Sequence, residues 1–125
     1  AAVTDYKVNK IETEKIKKRN NLNLNLEKNV DILGHISKHN LLRPKLVIGF
    51  AAETNGLEKN SQKKLLEKNC DWIIANDISN TNIGFNSEYN EISIFYKNMK
   101  KEKILKVEKS VIADEIVKRV IKQIN

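Results

Sequence analysis

The sequence predicts a three-layer α/β fold, in which a Rossmann-like, mainly parallel sheet carries helices on both faces, an antiparallel edge hairpin and a basic flap. Two short apolar runs rich in β-branched residues, at positions 45–50 and 71–75, flank a helical pattern. This strand–helix–strand order is typical of a right-handed parallel crossover. Two further strand-like segments, at 90–96 and 103–107, are separated by a charged turn and predict the edge hairpin.

The first part of the chain has little periodic pattern. Residues 1–3 resemble the tail of a strand that begins before the chain, and residues 6–20 form a basic loop without an apolar period. Residues 21–26 alternate Asn and Leu, as a strand with one apolar face does. That leucine face has to be covered, and a second subunit is one candidate.

The central part supplies the strand around which the fold is organised. Asn29 is predicted to cap a helix over residues 30–39, and the apolar strand 45–50 then runs into a small, polar loop. Residues 57–68 follow as a helix that turns three residues towards the sheet: Leu57, Ser61 and Leu65. Ligands bind at the carboxyl ends of strands in open α/β sheets, so we expect the site at this junction.

The last part combines a turn-rich loop, the hairpin and a helix. The loop covers residues 78–87, and Ser110 is predicted to cap the final helix. One apolar stripe at helical spacing makes this the clearest helix of the chain: Ile112, Ala113, Ile116, Val117, Val120, Ile121 and Ile124.

Composition limits the function classes without choosing among them. A chain of 125 residues fits one domain, and the single thiol, Cys70, allows no intrachain disulfide and suits a reducing compartment. No stretch is long and apolar enough to span a membrane, and the first six residues have neither the basic start nor the apolar core of a signal peptide, so we expect a soluble, cytoplasmic protein. The formal charge of +7 suits nucleic acid, a small anionic substrate or a solvated lysine surface.

The residues that could carry chemistry are lysines and groups just past strand ends. There is no Walker motif and no GxGxxG, so a phosphate site has to use lysines and backbone amides. Phe50 could lie against a base beside its small neighbours, although the pattern alone favours a core residue. Asp5 and Asp77 could contact a ribose, a base or magnesium, or merely cap a loop.

Three other residue types have simpler interpretations. His35 and His39 have a spacing that can ligate zinc, but no third ligand is arranged with them, which favours an ordinary surface pair. Cys70 is most simply a small apolar filler, because no basic neighbour lowers its pKa. Trp72 is predicted to be core.

Several separated stretches together resemble the C-terminal part of the phosphopantothenate–cysteine ligase family, in order and over essentially the whole chain, residues 1–125. The stretches are residues 1–6, the Lys-x-Lys-Lys motif at 15–18, and residues 28–33, 49–54, 71–77 and 84–87.

The resemblance implies an acid–amino acid ligase of coenzyme A biosynthesis. Such an enzyme joins 4'-phosphopantothenate to cysteine at the expense of CTP, with Mg2+, through an acyl-cytidylate. The family is often fused to a phosphopantothenoylcysteine decarboxylase, whose domain binds FMN and has no counterpart here. It also forms homodimers, and the segment 21–26 is expected to belong to the dimer arm.

The same resemblance assigns roles residue by residue. Lys15 matches the loop lysine that stabilises the transferring phosphoryl group, which makes it the expected catalytic residue. Ala1 and Ala2 match a substrate-binding strand end. The expected nucleotide contacts are Asp5, Val30, Asp31, Ile32, Phe50, Lys64 and Lys68; Val30 departs from the family's Pro.

The N-terminal half of the family's ligase domain has no counterpart in the sequence. The resemblance therefore predicts half of a larger domain, inactive alone. Two other interpretations stay open: a basic, non-enzymatic module that binds nucleic acid, and a degenerate homologue kept for dimerisation.

Overall fold

The computed structural model describes residues 3–17, 21–79 and 87–125. The chain divides into two compact units, Ala1–Ile32 and Leu33–Asn125. The elements are β1 (Tyr6–Val8), β2 (Leu26–Lys28), α1 (Ile32–Ser37), β3 (Ile48–Glu53), α2 (Leu57–Lys68), β4 (Trp72–Asp77), β5 (Tyr89–Tyr96), β6 (Lys101–Glu108) and α3 (Lys109–Ile124). Within the described ranges, no helix combines the length and apolar character needed to cross a membrane.

The first unit is an antiparallel ribbon of β1 and β2, in which Lys7 and Glu27 face each other and their side chains approach to 3.1 Å. The predicted loop 6–20 is therefore wrong at its start, since residues 6–8 form β1. The predicted strand 21–26 is also wrong except for its last residue. No described layer covers the alternating leucines, which are exposed, so regular pairing begins only where the ribbon finds cross-strand partners.

The second unit is built on one sheet with the strand order β3-β4-β5-β6. β3 pairs with β4 in parallel, whereas the β4–β5 and β5–β6 pairs are antiparallel. The described sheet is thus mixed, and the expectation of a mainly parallel sheet is wrong. The connection 78–88 is at the lower limit of about 10–12 residues for a parallel crossover, and β5 returns antiparallel to β4. The predicted hairpin is confirmed, and β6 forms an edge of the sheet.

Helices cover both faces of this sheet, which confirms the three layers. On one face, α2 turns Ser61 and Leu65 into the core with the bounds that the sequence predicted. On the other face, Ile112 of α3 packs with Trp72 and Ile74. Trp72 is thus core as predicted, and so is the buried Cys70 on the α2 side.

Glycine at position 49 allows α1 to approach β3 closely. A Cβ atom at Gly49 would lie 2.7 Å from Leu33 Cδ2 and 2.7 Å from Ile73 Cδ1. The helix is shorter than the predicted segment 30–39, and Asn29 does not cap it. The Asn29 carboxamide instead donates to the Thr4 carbonyl oxygen at 2.7 Å within the first unit.

A polar cluster fixes the carboxyl end of α2 against the start of β3. Arg43 donates to the carbonyl oxygens of Ser37 and Asn69, and its guanidinium contacts the Asp71 carboxylate at 2.9 Å. The same carboxylate accepts from the Val47 amide at 2.7 Å. Because these groups converge from α1, α2 and the two parallel strands, they hold the crossover in register.

The last helix begins one residue before the predicted cap. Glu108 occupies the N-cap position without a side-chain capping bond, and Ser110 lies inside the helix. β6 runs directly into α3, and the Lys109 amide donates to the Glu88 carbonyl oxygen at 2.9 Å, so no separate capping residue is required. Four of the seven residues in the predicted apolar stripe are exposed, namely Ala113, Val117, Ile121 and Ile124.

Candidate functional site

The exposed ring of Phe50 marks the outer strand of the sheet on the face that carries α3. Phe50 is 70% exposed, and Ala52 beside it on the same face is exposed too. The reason is topological, because α3 contacts β5 and β6 and leaves β3 uncovered. The pattern's preference for a core phenylalanine is therefore wrong. A flat aromatic ring with a small neighbour is a surface on which a base can stack.

The opposite face of the same strand end carries a polar cluster. The Glu53 carboxylate contacts Lys64 Nζ at 3.4 Å through Oε1 and accepts from Asn60 Nδ2 at 3.0 Å through Oε2. Asn60 Nδ2 also donates to the Asn55 carbonyl oxygen at 3.1 Å, which ties the cluster to the turn between β3 and α2. Gly56 in that turn has φ +55°, a left-handed conformation that favours glycine.

Lys68 lies one helical turn beyond Lys64 on the same side of α2. The two lysines and Phe50 are nevertheless on opposite faces of the sheet, with β3 between them. A single ligand that contacts all three has to pass around β3. Within the described residues β3 is the outer strand of the sheet, which leaves room for such a path.

The end of the neighbouring strand β4 offers one amide and one carboxylate. Asn76 lies opposite Ala52, and its Oδ1 atom is buried without a hydrogen-bond partner among the described residues. Asp77 Oδ1 accepts from the Ser79 hydroxyl at 2.6 Å and from the Ser79 amide at 2.9 Å. These hydrogen bonds lower the pKa of Asp77. Asp77 thus caps the start of the loop, and its contact with a ribose, a base or magnesium stays a prediction.

The site residues predicted in the first unit are exposed. Asp5 lies at a bend before β1, where its carbonyl oxygen accepts from the Asn29 amide at 2.9 Å. Lys15 lies in the irregular segment after β1. Val30, 76% exposed, and the exposed Asp31 precede α1, whose first residue is Ile32.

The two predicted substrate residues, Ala1 and Ala2, lie outside the described residues. So does Lys18, the last residue of the Lys-x-Lys-Lys motif, and so does most of the predicted loop 78–87. The structure thus places Lys64 and Lys68 on one face of the sheet and Phe50 on the other face, while the five residues of the first unit are placed only within that unit.

His35 is exposed and His39 is half-buried. The rings of His35 and His39 meet edge to face at 6.0 Å between centroids, and His39 Nδ1 accepts from the Leu41 and Leu42 amides. Across residues 3–17, 21–79 and 87–125, no group of three or more His, Cys, Asp or Glu side chains is arranged to hold a metal ion.

Sequence reasoning missed Glu53, which contacts Lys64, and Asn60, which donates to Glu53. Glu53 ends β3, and Asn60 precedes Lys64 by four residues on α2, so both lie at positions that turn towards the same strand end. The spacing of Asn60 and Lys64 was a signal for a shared helix face. That this face meets Glu53 followed only from the packing of α2 on the sheet.

Comparisons with known proteins agree with one another. The family model described as "DNA/pantothenate metabolism flavoprotein C-terminal domain" matches residues 1–124. The Escherichia coli coenzyme A biosynthesis bifunctional protein CoaBC is 38% identical over 95% of this chain and 31% of its own length. The CoaBC of Borreliella burgdorferi is 43% identical over 94% of this chain and 30% of its own length.

Solved structures support the fold. The crystal structure of the C-terminal domain of a CoaBC superposes with a TM-score of 0.70 at 31% identity, over 96% of this chain and 50% of that one. A DNA/pantothenate metabolism flavoprotein from Streptococcus pneumoniae superposes with a TM-score of 0.66 at 20% identity, over 99% of this chain and 58% of that one. The chain thus spans about a third of the curated relatives and about half of the solved domain.

Proposed function

Since the chain belongs to the family of DNA/pantothenate metabolism flavoprotein C-terminal domains, we propose that it supplies the nucleotide-binding part of a phosphopantothenate–cysteine ligase. The relatives named above are coenzyme A biosynthesis proteins, and coenzyme A biosynthesis is the pathway we assign. The observation that carries the proposal is the exposed Phe50 on one side of β3, with Lys64 on the other side. An aromatic surface and ammonium groups around one strand are what a base joined to phosphates requires.

The reaction we assign proceeds in two steps. The carboxylate of 4'-phosphopantothenate attacks the α-phosphate of CTP, and pyrophosphate leaves. The amine of cysteine then attacks the acyl carbon of the acyl-cytidylate, and CMP leaves as the amide forms. Negative charge that develops on the phosphoryl oxygens in the first step is stabilised by a nearby cation.

We assign that cation to Lys15. Its side chain is exposed in an irregular segment, so its ammonium can reach a ligand without first breaking a buried contact. Lysine acts on phosphates as a movable point charge, which suits a residue of a basic flap. Asp5, Val30, Asp31 and Ile32 are proposed to contact the nucleotide, and Ala1 and Ala2 the acyl substrate.

Mg2+ would supply charge neutralisation on the triphosphate. The absence of a three-ligand protein cluster among the described residues is compatible with an ion held mainly by substrate phosphates and water, as Mg2+ commonly is. Fusion to a decarboxylase that binds FMN, and a cytoplasmic location, are proposed on the likeness to the bifunctional relatives.

We also propose that this chain is half of a larger Rossmann-like domain and that catalysis requires the other half. Val117, Ile121 and Ile124 are exposed and lie across α3 from Arg119, which contacts Glu102 of β6. At about 100° per residue they therefore face away from the β6 edge, on the side of the uncovered β3. Apolar side chains so placed favour a further layer. The exposed leucines of the first unit are proposed to contribute to a homodimer.

Calorimetric titration of the complete protein that carries this chain tests the nucleotide assignment. We expect CTP with Mg2+ to bind and to protect residues 9–25 from proteolysis, and CTP to bind more tightly than ATP. The competing basic module instead predicts binding of oligonucleotides with a steep salt dependence and no binding of CTP. A purely dimerising homologue binds neither ligand.

A further inference from the structure

The environment of Lys64 differs from that of a neighbouring lysine on the same helix. Lys64 Nζ lies 3.4 Å from Glu53 Oε1, and the two side chains are 35% and 17% exposed. Lys63 Nζ lies 3.8 Å from Glu67 Oε1 across one turn of α2, with side chains 68% and 60% exposed. Lys64 is thus held between the helix and the strand, whereas Lys63 forms an ordinary solvated pair.

The carboxylate that holds Lys64 is itself fixed. Glu53 uses its second oxygen to accept from Asn60 Nδ2, and the same amide group also bonds to the Asn55 carbonyl oxygen. Both carboxylate oxygens therefore have separate partners, and the side chain cannot rotate without losing one. A lysine side chain that is not held in place loses rotamer freedom when it binds a ligand, at a cost of up to about 2 kcal/mol.

The ammonium is not saturated by this contact. It has three donor hydrogens, and among the described residues Glu53 uses one of them. Phosphate oxygens can accept from the rest, and a fixed ammonium pays less entropy on binding. A pair that served stability alone would contribute little at this exposure, since partly solvated ion pairs are worth about 0–1 kcal/mol.

We propose that Glu53, fixed by Asn60, is a positioning residue that orients the Lys64 ammonium towards a phosphate of the bound nucleotide. This inference rests on the proposed function. The alternative is that Glu53 neutralises the charge of Lys64 and weakens phosphate binding. The two differ in sign, so a substitution distinguishes them.

The experiment measures binding of CTP and of cytidine, with KM for CTP and kcat, in the complete protein that carries this chain. The variants are Glu53→Gln, Lys64→Ala and the double variant, with Glu67→Gln as the control that removes the same charge from the Lys63 pair. We expect Glu53→Gln to weaken CTP binding and raise its KM about tenfold, the size of one hydrogen bond to a charged group. Cytidine binding and kcat stay unchanged, and so does the control.

The double variant separates positioning from an independent effect. If Glu53 acts through Lys64, the double variant is no weaker for CTP than Lys64→Ala alone. Losses that multiply, an unchanged Glu53→Gln, or tighter CTP binding by Glu53→Gln would each overturn the inference. If Glu53→Gln melts at a much lower temperature, Asn60→Ala is the alternative variant, because it removes only the hydrogen bond that fixes Glu53. We expect Asn60→Ala to weaken CTP binding less than Glu53→Gln does. Unchanged CTP binding in Asn60→Ala would contradict the proposal. Wild-type protein that binds no CTP would instead overturn the proposed function.

Discussion

Two cation clusters on opposite sides of the sheet differ in how completely their donors are used. Arg119 donates through Nε to Glu102 at 2.8 Å and through Nη1 to the Glu115 carbonyl oxygen at 2.8 Å and carboxylate at 2.7 Å. Lys64 has one carboxylate contact, at 3.4 Å, beside the end of β3. The donor groups of Arg119 are used in contacts within the fold, whereas Lys64 keeps donor hydrogens that can bind a ligand.

The shared contacts of Arg119 also shift the protonation equilibria of the groups around it. Hydrogen bonds from Arg119 hold the pKa of Glu102 below its ordinary value, and the two carboxylates raise the pKa of Arg119. Burial, followed by the contact with Glu102, raises the pKa of Tyr96. These groups stabilise one another in the native state. We infer that the Arg119 cluster serves the fold, whereas Lys64 serves the ligand.

Substitution of Lys15 is expected to have the largest effect. Lys15→Gln removes an exposed cation, so we expect acyl-cytidylate formation in the complete protein to fall by about 10²–10³-fold, as when an electrostatic stabiliser of a transition state is lost. The thermal midpoint stays within about a degree, because a surface substitution changes stability little. Rapid-quench detection of the intermediate measures the first quantity. Unchanged formation would remove Lys15 from the catalytic role.

Substitutions of the exposed Phe50 and the buried Trp72 are expected to separate an effect on nucleotide binding from an effect on stability. Phe50→Ala is expected to weaken CTP binding by about 1–3 kcal/mol, the size of one base–aromatic stack, with little loss of stability because the ring is 70% exposed. Trp72→Ala is expected to cost about 3–5 kcal/mol of unfolding free energy, since Trp72 is buried. Titration calorimetry and urea unfolding measure the two. A large stability loss in Phe50→Ala would contradict the assignment.

Substitution of Arg119 tests the other side of the comparison. Arg119→Met removes the cation that is hydrogen-bonded to Glu102 and leaves Glu115 paired with Lys118, and we expect about 1 kcal/mol of destabilisation after allowance for the exposure of these groups. CTP affinity is expected to stay unchanged. Lys118→Met is the matched control, because Lys118 also contacts Glu115 but is 70% exposed. Reduced nucleotide affinity in Arg119→Met with an unchanged melting temperature would reverse the division of roles.

The smallest expected effect is a pH dependence of stability. The pKa of Glu102 is lower in the folded chain than its ordinary value of 4.5, so the native state binds this proton less readily than the unfolded state. Its stabilisation is present above pH 4.5 and is lost as the pH falls through the lower, folded value. Glu102→Gln should therefore flatten the acid limb of a plot of melting temperature against pH. An unaltered acid limb would show that the contact with Arg119 does not lower the pKa of Glu102 in the native state.

The amount of the fold that could be predicted depended on how local its determinants were. The bounds of α2 followed from an apolar period and small flanking residues, and both ends agree with the structure. The hairpin was predicted because its turn is local. The segment 21–26 alternates strictly, but no described layer buries its leucines, so most of it does not form a strand. β1 has no alternating pattern, yet it forms a strand because it pairs with β2. Hydrophobic pattern therefore overpredicted one strand of the ribbon and missed the other.

The sequence by itself determined the α/β class, the residue types available for a nucleotide and the existence of a central strand, which it predicted at 45–50 and which the structure places at Ile48–Glu53. The spacing of apolar residues and the types of side chain are local properties of the sequence, so they can be recognised without knowing which segments pack together. Tertiary structure alone decided that β5 returns antiparallel, that Phe50 is exposed and that Glu53 holds Lys64. Each depends on which surfaces meet: a strand that returns beside β4, a helix that contacts β5 and β6 rather than β3, and a carboxylate brought to an amide and an ammonium by packing.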